Sequence, residues 1–182
     1  MRYFKTIKSI SLIISLFLIT SCSSNNTMKP EDFKNKEPRL IIEEYLSGNV
    51  KAWGVLQNRS GKVTRQFSAD LDGSWDGRQL ILKEKFNWDD GEIQDREWTI
   101  TKIDEHNYEG TAGDVVGKAK GYSYGPAFKF EYVLLVPVKG RELKITFDDW
   151  IFKQDDRVAI NRATMTKFGF KVAELTVVFV KD

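Results

Sequence analysis

An all-β domain, a single antiparallel up-and-down barrel of about 8–10 strands behind a short N-terminal helix, is the fold this sequence predicts. Three observations predict it. The run from Gln79 to Lys102 alternates apolar and polar residues on both sides of a turn, which is the period of a half-buried strand. Turn signals recur roughly every 10–15 residues from Asn49 onward, and no amphipathic segment is long enough for a helical crossover. Aromatic residues make up 13% of the chain, a level that suits strands better than a helical bundle.

The chain opens with a basic start and an apolar run from Ile10 to Ile19, shorter than the roughly 20 residues that span a bilayer. Ile19-Thr20-Ser21-Cys22 resembles a lipobox, where bacterial lipoprotein signal peptides are cleaved and the cysteine is lipid-modified. Cys22 is the only cysteine, so the chain forms no internal disulfide and no cysteine metal cluster. Residues 1–21 are therefore expected to be a signal peptide. Ser23 stands where an inner-membrane retention signal carries Asp. That implies the outer membrane, with the domain facing the periplasm. Two or three acyl chains anchor stably where one does not. The formal charge of +2 falls to −1 once residues 1–21 are removed, with 25 Lys and Arg against 26 Asp and Glu. No basic face is left for nucleic acid.

Residues 22–37 are polar and read as the lipidated cysteine with a flexible tether. The barrel domain is expected over 38–182, beginning with a short helix in PRLIIEEYLSG that plugs one end of the sheet. Strand and turn then alternate. Val50–Gln57 turns at Asn58-Arg59-Ser60-Gly61 into Lys62–Leu71, which ends at Asp72-Gly73. The hairpin Gln79–Lys102 follows, with Asp89-Asp90-Gly91 as a three-residue loop in which Gly91 takes a positive φ. If Trp88 pairs with Glu92, Leu82 faces Trp98, Leu80 faces Ile100 and Glu84 faces Arg96. Beyond a turn at Glu105-His106-Asn107 come Tyr108–Val116, a Gly/Ala-rich piece, Phe128–Val138, Glu142–Lys153, Arg157–Lys167 and Lys171–Val180.

Several charges interrupt apolar faces. Arg65 shares a face with Val63, Phe67 and Leu71; Asp149 with Ile145, Phe147 and Ile151; Asp114 with Tyr108, Ala112 and Val116; Glu84 and Arg96 sit inside the hairpin. Two readings stand open. The charges satisfy one another within the sheet, or Arg65, Glu84, Arg96, Asp114 and Asp149, with Trp98 beside them, form the polar floor of a ligand cavity. The small residues from Ala112 to Ala127 either turn a sharp corner or leave interior volume. His106 is the only histidine and lies in a turn, which excludes a Ser-His-Asp triad and multi-histidine metal sites. Nothing implies a cofactor. Acid–base work by Glu84, Asp114 and Asp149 stays open.

AWGVLQNRSGKVTRQF, DDGEIQDREW, GTAGDVVGKAKGYSYGPA, FDDWIF and NRATMTKFGF together resemble the uncharacterised bacterial lipoproteins grouped as domain of unknown function 3833. The likeness runs from about Pro38 to Val180, implies a lipid-anchored envelope protein, and names no activity. More distantly, Ala52-Trp53-Gly54 ahead of a meander is similar to the Gly-x-Trp of lipocalin-like barrels, whose late basic residue packs on the indole; Arg162 or Lys167 would take that role here. The expected function is binding of an apolar or amphipathic, lipid-like small molecule. The rivals are an envelope scaffold that docks partner proteins and a lipocalin-like isomerase or hydrolase using carboxylates.

Overall fold

The computed structural model describes residues 27–138 and 140–182. The expected signal peptide, the lipobox-like segment and Cys22 lie outside the described residues. Ten antiparallel strands follow one another around a closed barrel: β1 (Gly48–Asn58), β2 (Val63–Trp75), β3 (Gln79–Trp88), β4 (Ile93–Lys102), β5 (Asn107–Thr111), β6 (Ala119–Tyr124), β7 (Ala127–Val138), β8 (Arg141–Lys153), β9 (Val158–Lys167) and β10 (Phe170–Lys181). Each strand pairs with its sequence neighbours and β10 closes on β1, so no edge is left to recruit another strand.

The hairpin takes the register its alternation predicts. Leu82 lies opposite Trp98, Leu80 opposite Ile100 and Glu84 opposite Arg96. The Trp88 amide donates to the Glu92 carbonyl at 2.9 Å, and Gly91 closes the loop at φ 86°. β2 runs on to Trp75, past the stop expected at Asp72-Gly73, because Gly73 still pairs with both Gly48 and Leu82. A glycine in a paired strand weakens it without ending it.

One end of the barrel is closed. A single helical turn, α1 (Ile42–Tyr45), buries Ile42 and Tyr45, and Leu40 and Leu46 beside it, in the shared core. Lys181 from the last strand caps this turn, its Nζ donating to the carbonyls of Glu44 at 2.5 Å and Tyr45 at 3.1 Å. Those carbonyls are the orphaned acceptors of a helix C-terminus. Glu43 is 4% exposed and is held by the Tyr108 hydroxyl at 2.9 Å and by Lys102. The plug expected from PRLIIEEYLSG is present, shorter than the segment that encodes it.

The segment read as tether meets the barrel before Pro38. Pro30–Phe33 forms a 3-10 turn. The Phe33 ring packs 5.5 Å from Phe152 and 6.0 Å from Trp150 on the outside of the closed end. Every strand, the plug and the core cluster fall within residues 40–181.

Candidate functional site

The loops joining β1 to β2, β3 to β4, β5 to β6, β7 to β8 and β9 to β10 gather at the end opposite α1. There the barrel opens into an interior cavity of about 800 Å³. Its walls are the inward residues of the alternating strands: Phe67, Leu82, Trp98, Phe128, Phe130 and Phe147 among them. The aromatic rings form a continuous lining, with Trp98 5.2 Å from Phe130 and 5.3 Å from Tyr132, and Tyr132 stacked on Phe147 at 5.0 Å.

Glycines make room for these rings. A Cβ on Gly110 would lie 2.4 Å from the Phe130 ring and one on Gly121 2.8 Å from that of Phe128. Gly121 within the Gly/Ala-rich stretch and Gly110 just before it thus let aromatic rings approach the β5–β6 backbone. Close approach of another group is one of the things a run of small residues permits in a strand, and it is realised here at Gly121.

All six sequence-predicted residues of the domain, Arg65, Glu84, Arg96, Trp98, Asp114 and Asp149, line this one cavity. They do not form one floor. Arg65 is at the mouth, where it bonds Asp90 at 2.7 Å and Glu92 at 2.8 Å from the β3–β4 loop. Its guanidinium lies 3.9 Å from the centre of the Trp88 ring, a stacked geometry that guanidinium favours.

Arg96 is the centre of a second group. It donates to Asp114 Oδ2 through Nε at 3.0 Å and Nη2 at 2.8 Å. Glu84, directly opposite it in the hairpin, is more distant, with 3.8 Å between Glu84 Oε2 and Arg96 Nη1. Asp114 stands beyond the end of β5, yet it stays inside. The loop bridges to β7, with Val116 donating to the Val133 carbonyl and Leu135 to that of Asp114, and Val115 paired with Leu134.

Asp149 completes the polar set. It accepts from the Tyr132 hydroxyl at 3.0 Å and from the Asn161 side-chain amide. Neither partner was singled out in the sequence. Asn161 carries a readable signal, a polar residue in the inward series Ala159, Asn161, Ala163, Met165. Tyr132 continues the inward series Phe128, Phe130 and reads there as another apolar ring.

Burial dominates the electrostatics. It pushes the Glu84 carboxyl up to about 7, against the pull of Arg96 and with a push from Asp149. It raises Asp149 to about 6, against the bonds from Asn161 and Tyr132. The Tyr132 phenol is raised well above its ordinary value, first by burial and then by the Asp149 charge. Desolvation outweighs the single guanidinium because one cation serves three carboxyls.

The expected tryptophan–cation pair is absent at its predicted place. Trp53 is on the outer face and half exposed, with Ala52 facing in. Arg162 instead approaches Glu174 at 3.7 Å, and Lys167 lies over the Phe168 ring. One residue of register decides which side of a strand a side chain takes, and here the inward positions go to Ala52, Gly54 and Leu56.

Solved structures share this barrel. An S-type phycobiliprotein lyase, CPES, from Guillardia theta superposes with a TM-score of 0.57 at 10% identity, over 77% of this chain and 90% of that one. A protein of unknown function from the DUF3598 family of Nostoc punctiforme gives 0.60 at 16% identity, over 81% of this chain and 51% of that one, so this chain spans about half of its length. At such identities the likeness is one of fold. No curated protein sequence matches. The family model described as protein of unknown function (DUF3833) matches residues 16–181, and the chain belongs to that family.

Proposed function

We propose that this protein is a lipid-anchored carrier of the bacterial envelope whose barrel binds one apolar or amphipathic small molecule. The observation that carries the reading is the open interior cavity of about 800 Å³, walled mainly by aromatic and aliphatic side chains and carrying a band of charged and amide groups. That size and lining suit a lipid-like ligand, and apolar burial supplies the driving force.

Anchoring rests on Cys22 and the lipobox before it, with the outer membrane's periplasmic face as the destination. Because Pro30–Phe33 leaves from beside the closed end, an anchored barrel presents its mouth away from that leaflet. Cys22→Ala should abolish labelling by a palmitate analogue and release the protein from the membrane fraction. Equal label in the variant would refute the anchor.

Binding is tested with the chain from residue 23 onward, shown to be folded by near-ultraviolet circular dichroism, and the neutral dye N-phenyl-1-naphthylamine. A single saturable site is expected. Ala69→Phe, which fills the cavity wall, should weaken it by about tenfold or more, and Lys85→Ala on the outer face should leave it unchanged. A second reading, a docking scaffold, draws on Phe168 and Phe170, which are 89% and 69% exposed at the tip of the β9–β10 hairpin. A folded chain that binds neither dye nor lipid would favour that scaffold.

A further inference from the structure

We infer that the cavity selects amphiphiles whose head group donates hydrogen bonds, a primary ammonium or a hydroxyl, over those ending in a carboxylate. This deepens the carrier reading and rests on it.

The inference comes from counting what the polar group has left to offer. Arg96 directs Nε and Nη2 at Asp114 Oδ2 and has Nη1 3.8 Å from Glu84 Oε2, so its charge is flanked by two carboxyls. Asp149 is committed, one oxygen to Tyr132 and the other to Asn161. Glu84 Oε2 and Asp114 Oδ1 are buried and accept no hydrogen bond from the protein. A buried acceptor left unmatched is costly, and a donor that reaches it recovers that cost. Both oxygens belong to residues that line the cavity.

Two other buried atoms are unmatched among the described residues. Asp148 Oδ1 lies 3.4 Å from Lys129, away from the cavity lining. Arg65 Nε is a donor, but its guanidinium is at the mouth and already holds Asp90 and Glu92. The unmatched buried atoms of the interior carboxyls are therefore acceptors, and the N–H groups that Arg96 has to spare lie between Asp114 and Glu84.

Charge points the same way. Glu84, Asp114 and Asp149 share the interior with a single guanidinium, Arg96. An entering carboxylate would meet a guanidinium flanked by Asp114 and Glu84 and would face both at close range. An ammonium would instead be drawn to these carboxyls and supply the missing positive charge. A hydroxyl satisfies one of the two oxygens without adding charge. Desolvated sites magnify such differences relative to water.

The test, at pH 8 where Glu84 is ionised, is displacement of N-phenyl-1-naphthylamine from the folded chain by dodecylamine, 1-dodecanol and dodecanoate, each below the concentration at which it self-associates. The three share one apolar chain, so the head group alone sets their order. Dodecylamine should displace the dye at a concentration about tenfold to a hundredfold below dodecanoate, with dodecanol between them. Glu84→Gln combined with Asp114→Asn should shrink that spread to about twofold while the dye still binds. Dodecanoate equal to or stronger than dodecylamine on the wild-type chain overturns the head-group inference and leaves the carrier reading standing. Failure of the dye to bind overturns both. The wild-type ranking decides the question even if the double variant does not fold.

Discussion

Arg96→Met should destabilise the domain by about 3–5 kcal/mol near pH 8, the scale for removing one partner of a buried ion pair. The arginine gives two charge-assisted bonds to Asp114 and offsets the charge of Glu84. Its side chain is 16% exposed and that of Glu84 13%, so water does not replace it. Adding Glu84→Gln should return part of the loss. Adding Asp114→Asn as well should return most of it, because no uncompensated carboxylate then remains beside the methionine. Asp114 is 29% exposed and can hydrate in part, so its share is the smaller one. Urea unfolding of the four chains measures this, read from midpoints at equal slope. A loss of only a few tenths of a kcal/mol in the single variant would mean that the group is hydrated and that the cavity's polar band is a surface feature.

Glu84→Gln by itself should change how stability depends on pH. Burial lifts the Glu84 carboxyl from its ordinary 4.5 to about 7. Between those values the folded chain holds a proton on Glu84 that the unfolded chain has released. The native state then binds more protons, so the stability of the wild-type chain falls as pH rises through this window and levels off above it. Asp149, lifted from 3.8 to about 6, adds a loss of the same sign at slightly lower pH. The Glu84 share is about 3 kcal/mol, from the shift and the free energy per pKa unit. The glutamine variant lacks that share and should be more stable than wild type near pH 8, with the two converging near pH 4.5. Unfolding midpoints of both chains across this range provide the check. Wild-type stability that stays flat or rises between about pH 5 and 7 would show that Glu84 titrates as an exposed carboxylate.

Much of the barrel was legible because its strands alternate. A period of two assigns each residue a face. A tight loop at Asp89-Asp90-Gly91 then sets which residues stand opposite each other, and Glu84 against Arg96 follows from those two facts alone. The same logic puts Phe67, Trp98, Phe128, Phe130 and Asp149 inside. The plug was legible from its apolar cluster, which has nowhere else to be buried.

Partner choice inside the barrel was not legible, and the reason is closure. Alternation says which side chains point inward; it does not say which of them meet. Arg96 prefers Asp114 to its cross-strand neighbour Glu84. The β5–β6 loop bridges to β7 and carries that aspartate over the guanidinium, a contact set by short strands and long-range pairing. Arg65 binds the β3–β4 loop because β2 and β3 are paired. Tyr132 and Asn161, from strands β7 and β9, converge on Asp149 of β8. Trp53 faces solvent because the β1 register puts Ala52 inside. The sequence by itself determined the antiparallel meander, the hairpin register and which charges enter the interior, while β5 stops at Thr111 and β6 forms within the Gly/Ala-rich piece. The tertiary structure alone decided how those charges pair and which acceptors stay unmatched, since pairings between distant strands depend on how the sheet closes.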